Sequence, residues 1–187
     1  MDASPAATRT RRAIVEAAVA CWSEDSSASL GEVAARAGVG RSTLNRHFAG
    51  REELVAAVDE VSRERLTAAI RAARPEEGTG LEALTRMAVA LLEQEDVLGL
   101  VFADNALVDP DTWEDEPSQD PHGVPALVAR GHRDGTIDPG LPAEWVETVL
   151  WTSLFAAVLT LRGGTRTRHE VGALLARTLG SGVGGAS

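Results

Sequence analysis

Six side chains able to make polar contacts stand within seven consecutive positions of this chain: Arg41, Ser42, Thr43, Asn45, Arg46 and His47. They offer guanidinium, hydroxyl, amide and imidazole donors. Such groups bind phosphate oxygens and read base edges in a DNA major groove, where the N-terminal residues of a docked helix do most of the reading. A second set, Asp104, Asp109, Asp111, Asp120 and His122, could in principle supply carboxylates and an imidazole to a metal. These five lack the helical i, i+3 or i, i+4 ligand spacing of H-E-x-x-H or E-x-x-H. The chain also contains no G-x-S-x-G, phosphate-binding glycine loop or paired-cysteine motif. The expectation is therefore a non-enzyme with no catalytic residue, no metal and no cofactor.

The donor set needs a helix to present it. Leu44 and Phe48, four residues apart, give a helix from Arg41 to about Phe48 a buried edge and leave the polar residues facing elsewhere. Upstream, Ser29 can cap a helix beginning near Leu30, and Glu32 completes the reciprocal S-x-x-E capping box; Val33 and Ala34 form its small apolar face. Gly38 can take the left-handed backbone that ends this helix near Ala37, and Gly40 is a permissive start for the next. Two short helices joined by a turn of about four residues make a helix-turn-helix. Ile14, Ala17, Ala18, Cys21 and Trp22 recur at three and four within Thr10 to Trp22, predicting a helix that closes a small core over Val33, Val39, Leu44 and Phe48. Residues 1–8 are expected to be a disordered arm, and Arg9, Arg11 and Arg12 after it either reach DNA phosphates or are merely solvated.

These residues resemble the tetracycline-repressor (TetR) family of bacterial regulators. The family pattern has an A-G-V turn, a recognition helix ending in Tyr-x-His-Phe, and a basic residue before two acids and a leucine. Here these stand as Ala37-Gly38-Val39, Asn45-Arg46-His47-Phe48 and Arg51-Glu52-Glu53-Leu54. Asn45 replaces the usual tyrosine, exchanging an aromatic phosphate contact for an amide, and Arg51 replaces the usual lysine. The motif similarity covers roughly the first 55 residues. It implies an all-α protein with an N-terminal helix-turn-helix DNA-binding domain of three helices and a C-terminal helical ligand-binding and dimerisation domain. The DNA contacts it implies are Ser29, Arg41, Ser42, Thr43, Asn45, Arg46, His47 and Arg51. The function it implies is a repressor released from a palindromic operator by a small lipophilic effector. The alternative is a helical small-molecule-binding or metal-carboxylate protein whose helix-turn-helix does not touch DNA.

A chain of 187 residues with 44% hydrophobic content is ample for a packed core. Its net charge of −10 disfavours DNA in sum but not in distribution. Residues 1–51 hold seven arginines against five acids, a net +2, whereas residues 52–187 hold eleven against twenty-three, a net −12. All eighteen basic residues are arginine, which suits bidentate phosphate and guanine contacts and equally fits a genomic composition bias. Cys21, the single cysteine, reads as a small buried residue. No run of 18 apolar residues and no signal peptide is evident, so a cytoplasmic protein with no membrane partner is expected.

The remaining chain divides into 52–79, a connecting helix and turn, and 80–187, a helical body. Leu54, Val58, Val61, Leu66 and Ile70 mark a helix from Glu52 to about Arg74, ended by Pro75 and the E-E-G-T-G run. Leu81, Leu84, Met87, Ala88, Leu91 and Leu92 mark another, 96–108 reads as helical, and the proline- and acid-rich stretch after it reads as a loop. A helix over Ala126 to His132 and a turn precede Pro142, which starts a helix apolar at ten of thirteen positions over 149–161 and ended by Gly163-Gly164. The last helix opens with a Thr167-x-x-Glu170 capping box, and a small-residue tail follows Gly180.

Two adjacent helices with so much apolar surface need cover. In the resembled family the last two helices form a four-helix bundle across a two-fold axis, which makes Leu150, Leu154, Val158, Val171, Leu174, Leu175 and Leu179 the expected homodimer interface. The alternative is that both faces are used within one subunit. A small-molecule pocket, implied by the resemblance, has Met87, Leu91, Phe102, Trp113, His122, Trp151 and Phe155 as candidates, each equally accounted for as core. Trp113 stands out, because a large aromatic among Asp, Glu and Pro has little reason to be there unless it covers something apolar. The surrounding acids are either a solvated loop or a cation-attracting rim.

Overall fold

A computed structural model describes residues 5–103, 107 and 123–185. The described residues form nine helices: α1 (Pro5–Glu24), α2 (Leu30–Arg36), α3 (Arg41–His47), α4 (Arg51–Ala72), α5 (Gly80–Leu92), α6 (Glu95–Ala103), α7 (Val124–Asp134), α8 (Ala143–Arg162) and α9 (Arg168–Val183). The chain is all-α. Pro5 to Thr8 belong to α1 instead of a disordered arm, since proline in a first turn lacks only an N–H that has no helical partner there. Contacts divide the chain into two compact units, residues 1–65 with 99–113 and residues 66–98 with 114–187. The division falls inside α4 and α6.

In the first unit α1, α2 and α3 pack mutually. Ile14, Ala18, Trp22, Val33, Leu44 and Phe48 are buried among them, as their three-and-four spacing requires.

The second unit is built around α5, which packs on α7, α8 and α9. Its buried stripe is Ala83, Leu84, Met87, Ala88, Leu91 and Leu92. Thr79 caps α5 through a reciprocal T-x-x-E box with Glu82. The start of α5 lies so close to α7 that a Cβ on Gly80 would overlap the backbone of Gly131. Asp134 and Thr136 accept the N–H groups of Gly80 and Leu81 at 2.8 and 3.2 Å, satisfying two first-turn donors. The turn between α4 and α5, where Arg74 takes a φ of 50°, has its carbonyls held by two guanidinium groups. Arg86 donates to the carbonyls of Ala73, Arg74 and Glu77, and Arg130 to those of Pro75, Glu76 and Thr79. The small-residue tail is partly structured: α9 runs on to the buried Val183, and Gly184 bridges back to Ile137.

α8 carries two apolar faces. Val146, Leu150, Leu154, Ala157 and Val158 are buried within the chain, while Trp145, Phe155 and Leu159 are 55%, 42% and 52% exposed. The expected interface set lies mostly on the inner side of these helices, although Val171, Leu174 and Leu175 also line a shallow groove between α8 and α9. Leu150, Leu154, Val158, Val171, Leu175 and Leu179 are core residues of a single subunit, and of the seven only Leu174 is exposed, at 42%. The physical reason is that α5 and α7 cover one side of the α8–α9 pair, so the better-filled stripe of each helix is already used. α8 is also long and apolar enough, by length and composition, to cross a membrane, but its densest stripe is built into this bundle.

Candidate nucleic-acid interface

The interface starts with the capping box of α2. The Ser29 hydroxyl accepts the Glu32 N–H at 3.3 Å, while the Glu32 carboxylate accepts the Ser29 N–H and hydroxyl, each at 2.7 Å. The backbone bond from Ser29, followed by the hydroxyl bond, holds the Glu32 carboxyl below its ordinary pKa. Four residues separate α2 from α3, and Gly38 supplies the left-handed step at φ 67°. The Gly38 and Val39 amides donate back to the Ala35 and Ala34 carbonyls at 3.1 and 3.0 Å, fixing α3 against α2. Leu44 and Phe48 are buried, at 1% and 0% exposure.

With that edge inward, Arg41, Ser42, Asn45 and Arg46 are exposed on α3, and Thr43 and His47 are half-buried. Arg46 Nη2 donates to Thr43 Oγ1 at 3.2 Å, which orders the guanidinium along the helix. Arg41 lies back across the first turn of α2, where its guanidinium occupies the space a Cβ on Gly31 would need. A shallow groove of about 320 Å³ separates these elements, lined by Ser29, Leu30, Gly31, Arg41, Leu44 and Asn45.

Two members of the expected DNA set are committed elsewhere. Ser29 spends its hydroxyl on the cap. Arg51 turns inward: Nη1 donates to the Ala28 carbonyl at 2.8 Å, Nη2 to the Ser26 carbonyl at 2.6 Å, and the guanidinium stacks 4.5 Å over the Trp22 ring. The sequence showed a basic residue at the right place but not the two carbonyls waiting for it. Other arginines of this unit are also partnered. Arg36 forms a two-bond pair with Glu24 at 2.8 Å, and this hydrogen bonding raises its pKa above the ordinary value. Arg12 pairs with Glu16 at 2.8 Å, and Arg11 sits 4.8 Å over the Phe48 ring.

The expected effector residues are dispersed in their environments. Met87 and Leu91 are each 2% exposed, in the core stripe of α5. Phe102 on α6 and Trp151 on α8 are half-buried, while Phe155 lies on the exposed face of α8. Trp113 and His122 lie outside the described residues, as do Asp104, Asp109, Asp111 and Asp120. Among the described residues no group of three or more His, Cys, Asp or Glu side chains could hold a metal.

Residues 14–58 match the family described as bacterial regulatory proteins, tetR family. Over 181 residues, 96% of this chain and 93% of the relative, the chain is 32% identical to the HTH-type transcriptional repressor LfrR of Mycolicibacterium smegmatis. The crystal structure of the TetR-like regulator LfrR from Mycobacterium smegmatis in complex with proflavine superposes with a TM-score of 0.73 at 31% identity, covering 95% of this chain and 98% of that one. The ketosteroid transcriptional regulator KstR2 of Mycobacterium tuberculosis shares the fold at a TM-score of 0.76 and 21% identity, over 94% of this chain and 95% of that one. The helix-turn-helix with an outward polar α3 and the full-length similarity agree: this chain is a DNA-binding transcriptional regulator and belongs to the TetR family.

Proposed function

We propose that the chain is a cytoplasmic, non-enzymatic repressor that binds a palindromic operator as a homodimer and is released by a small lipophilic effector. The observation that carries DNA reading is the division of α3, with Leu44 and Phe48 buried and Arg41, Ser42, Asn45 and Arg46 exposed. Residues 1–51 form the reading head, 52–79 the connection and 80–187 the effector-binding and dimerising body. Thr43 and His47 complete the reading face at its edges.

The dimer is formed by the outer faces of α8 and α9. Phe155, Leu159 and Leu174 are exposed there, and a shallow groove of about 380 Å³ carries the small side chains Thr152, Ser153, Ala156, Thr160 and Thr178. Trp145, Thr152 and Leu159 repeat every seven residues with Thr148 and Phe155 between them, the spacing of a helix seam. One α3 alone makes too few contacts for operator affinity, whereas paired heads match paired half-sites.

The effector class is a lipophilic cation. Support comes from the net −12 over residues 52–187 and from the likeness to a regulator crystallised with proflavine. Such a ligand acts only if it prefers the conformation that does not bind operator, because equal affinity for both shifts nothing. A coupling of about 1–3 kcal/mol changes operator affinity roughly 5- to 150-fold, and operator must weaken the ligand equally. The test titrates proflavine into the protein with and without a duplex selected from a random pool, following tryptophan emission. Equal affinity in both titrations rules out induction by proflavine.

A further inference from the structure

We propose that Arg51 is a positioning residue that clasps the first turn of α4 to the α1–α2 loop and so sets the orientation of the reading head, and that it is not a phosphate ligand. The inference rests on the DNA-reading role of α3. Arg51 opens α4, yet its guanidinium reaches back 23 and 25 residues to the Ala28 and Ser26 carbonyls. Ala28 O is a shared acceptor, because the Trp22 Nε1 also donates to it at 2.9 Å. The ring of that tryptophan is fully buried and lies under the guanidinium. Three elements therefore meet at one carbonyl: α1 through Trp22, the loop through Ala28, and α4 through Arg51.

The loop itself is well defined. Asp25 Oδ1 accepts the Ser27 N–H at 2.9 Å and the Ser27 hydroxyl at 2.6 Å, and the Ala28 N–H donates to the Asp25 carbonyl at 3.0 Å. One residue later Ser29 caps α2. Beyond the chain through Phe48 to Gly50 and the burial of Leu54, Ala57 and Val58, α4 is thus tied to the helix-turn-helix by this clasp onto the segment that starts α2. With the clasp in place, turning the first turn of α4 carries α2 with it, and α3 follows through the four-residue turn. Without the clasp, the segment that starts α2 loses its polar tie to the first turn of α4. Only a planar fork can serve two divergent carbonyls while laying a face on an indole; a lysine ammonium keeps the charge and loses the fork and the face.

The substitutions Arg51→Lys and Arg51→Met in the full-length protein separate the two roles. A phosphate ligand would be rescued by lysine, and methionine would lower the salt slope of operator binding by about one. A clasp predicts the reverse: Arg51→Lys binds the duplex selected from a random pool roughly tenfold more weakly, with helicity unchanged by circular dichroism and the salt slope the same as for the parent. Wild-type affinity for Arg51→Lys, or a slope reduced by one in Arg51→Met, overturns the proposal. A second arm is independent of DNA: with Trp113, Trp145 and Trp151 replaced by phenylalanine, Trp22 emission should change in Arg51→Lys, because the guanidinium face stacked on the indole is replaced by a compact ammonium. Unchanged emission in both variants also overturns the clasp, whereas failure of the parent protein to select any duplex would instead overturn the reading function of α3.

Discussion

Substituting Leu174 by glutamate should convert the proposed α8–α9 dimer to folded monomers. In the isolated subunit Phe155, Leu159 and Leu174 retain 42%, 52% and 42% of their exposure, together little more than one fully exposed large side chain. At about 1.5–3 kcal/mol for burying such a side chain, this amounts to roughly 2–4 kcal/mol per subunit and about 4–8 kcal/mol per two-fold interface. Leu174 supplies about a third of it. Glutamate removes that third from both copies and places a carboxylate in each half of the seam, where an unpaired polar group costs about 1–3 kcal/mol or more. The combined loss of at least about 3 kcal/mol weakens self-association more than 100-fold. Sedimentation velocity from nanomolar to tens of micromolar protein, with circular dichroism as a check of folding, measures it. Leu175 is 4% exposed beneath the α8–α9 groove, so a charge there should destabilise the subunit as well as the seam. A Leu174→Glu protein that remains dimeric with unaltered affinity would place the interface on some other surface.

Three further outcomes follow from the site and the body. Arg46→Ala should weaken operator binding by about 1–3 kcal/mol if the guanidinium reads a base, or lower the salt slope by about one if it holds a phosphate; unchanged binding in a folded Arg41→Ala/Arg46→Ala double variant would remove α3 as the reading element. Glu32, Glu82 and Glu170 all have lowered pKa values because capping-box backbone bonds favour the carboxylate. A depressed folded-state value gives stability that is present above the unfolded value of 4.5 and lost as pH falls through the folded one, so glutamine at these three positions should flatten the acid limb of thermal stability below pH 4.5. Gly80→Ala should destabilise the protein by about 1–3 kcal/mol in chemical denaturation, because its Cβ meets the Gly131 backbone and the Leu127 carbonyl, neither of which can rotate away; a variant as stable as the parent would show that α5 and α7 can separate freely.

Local signals accounted for much of the architecture. The Ser29–Glu32 and Thr167–Glu170 boxes, the Gly38 step, and the Leu44–Phe48 edge each depend on residues three or four apart, so one sequence window contains the whole interaction. The outward polar face of α3 was legible for the same reason: when Leu44 and the capping Phe48 point inward, the polar positions between and around them face elsewhere.

What the sequence could not decide were questions of which partner is nearest. α8 has two apolar faces of similar composition, and only the packing of α5, α7 and α9 determined that Leu150 and Leu154 face inward while Phe155 and Leu159 face out. Arg51 has the same charge whether it meets a phosphate or a carbonyl. Its assignment to Ser26 and Ala28 depends on a loop more than twenty residues away and on an indole that happens to lie beneath it. Periodicity along a chain fixes that a face is apolar or a side chain is charged, because those are properties of the residue; what covers the face or satisfies the charge is a property of another segment, and only the tertiary fold brings that segment there.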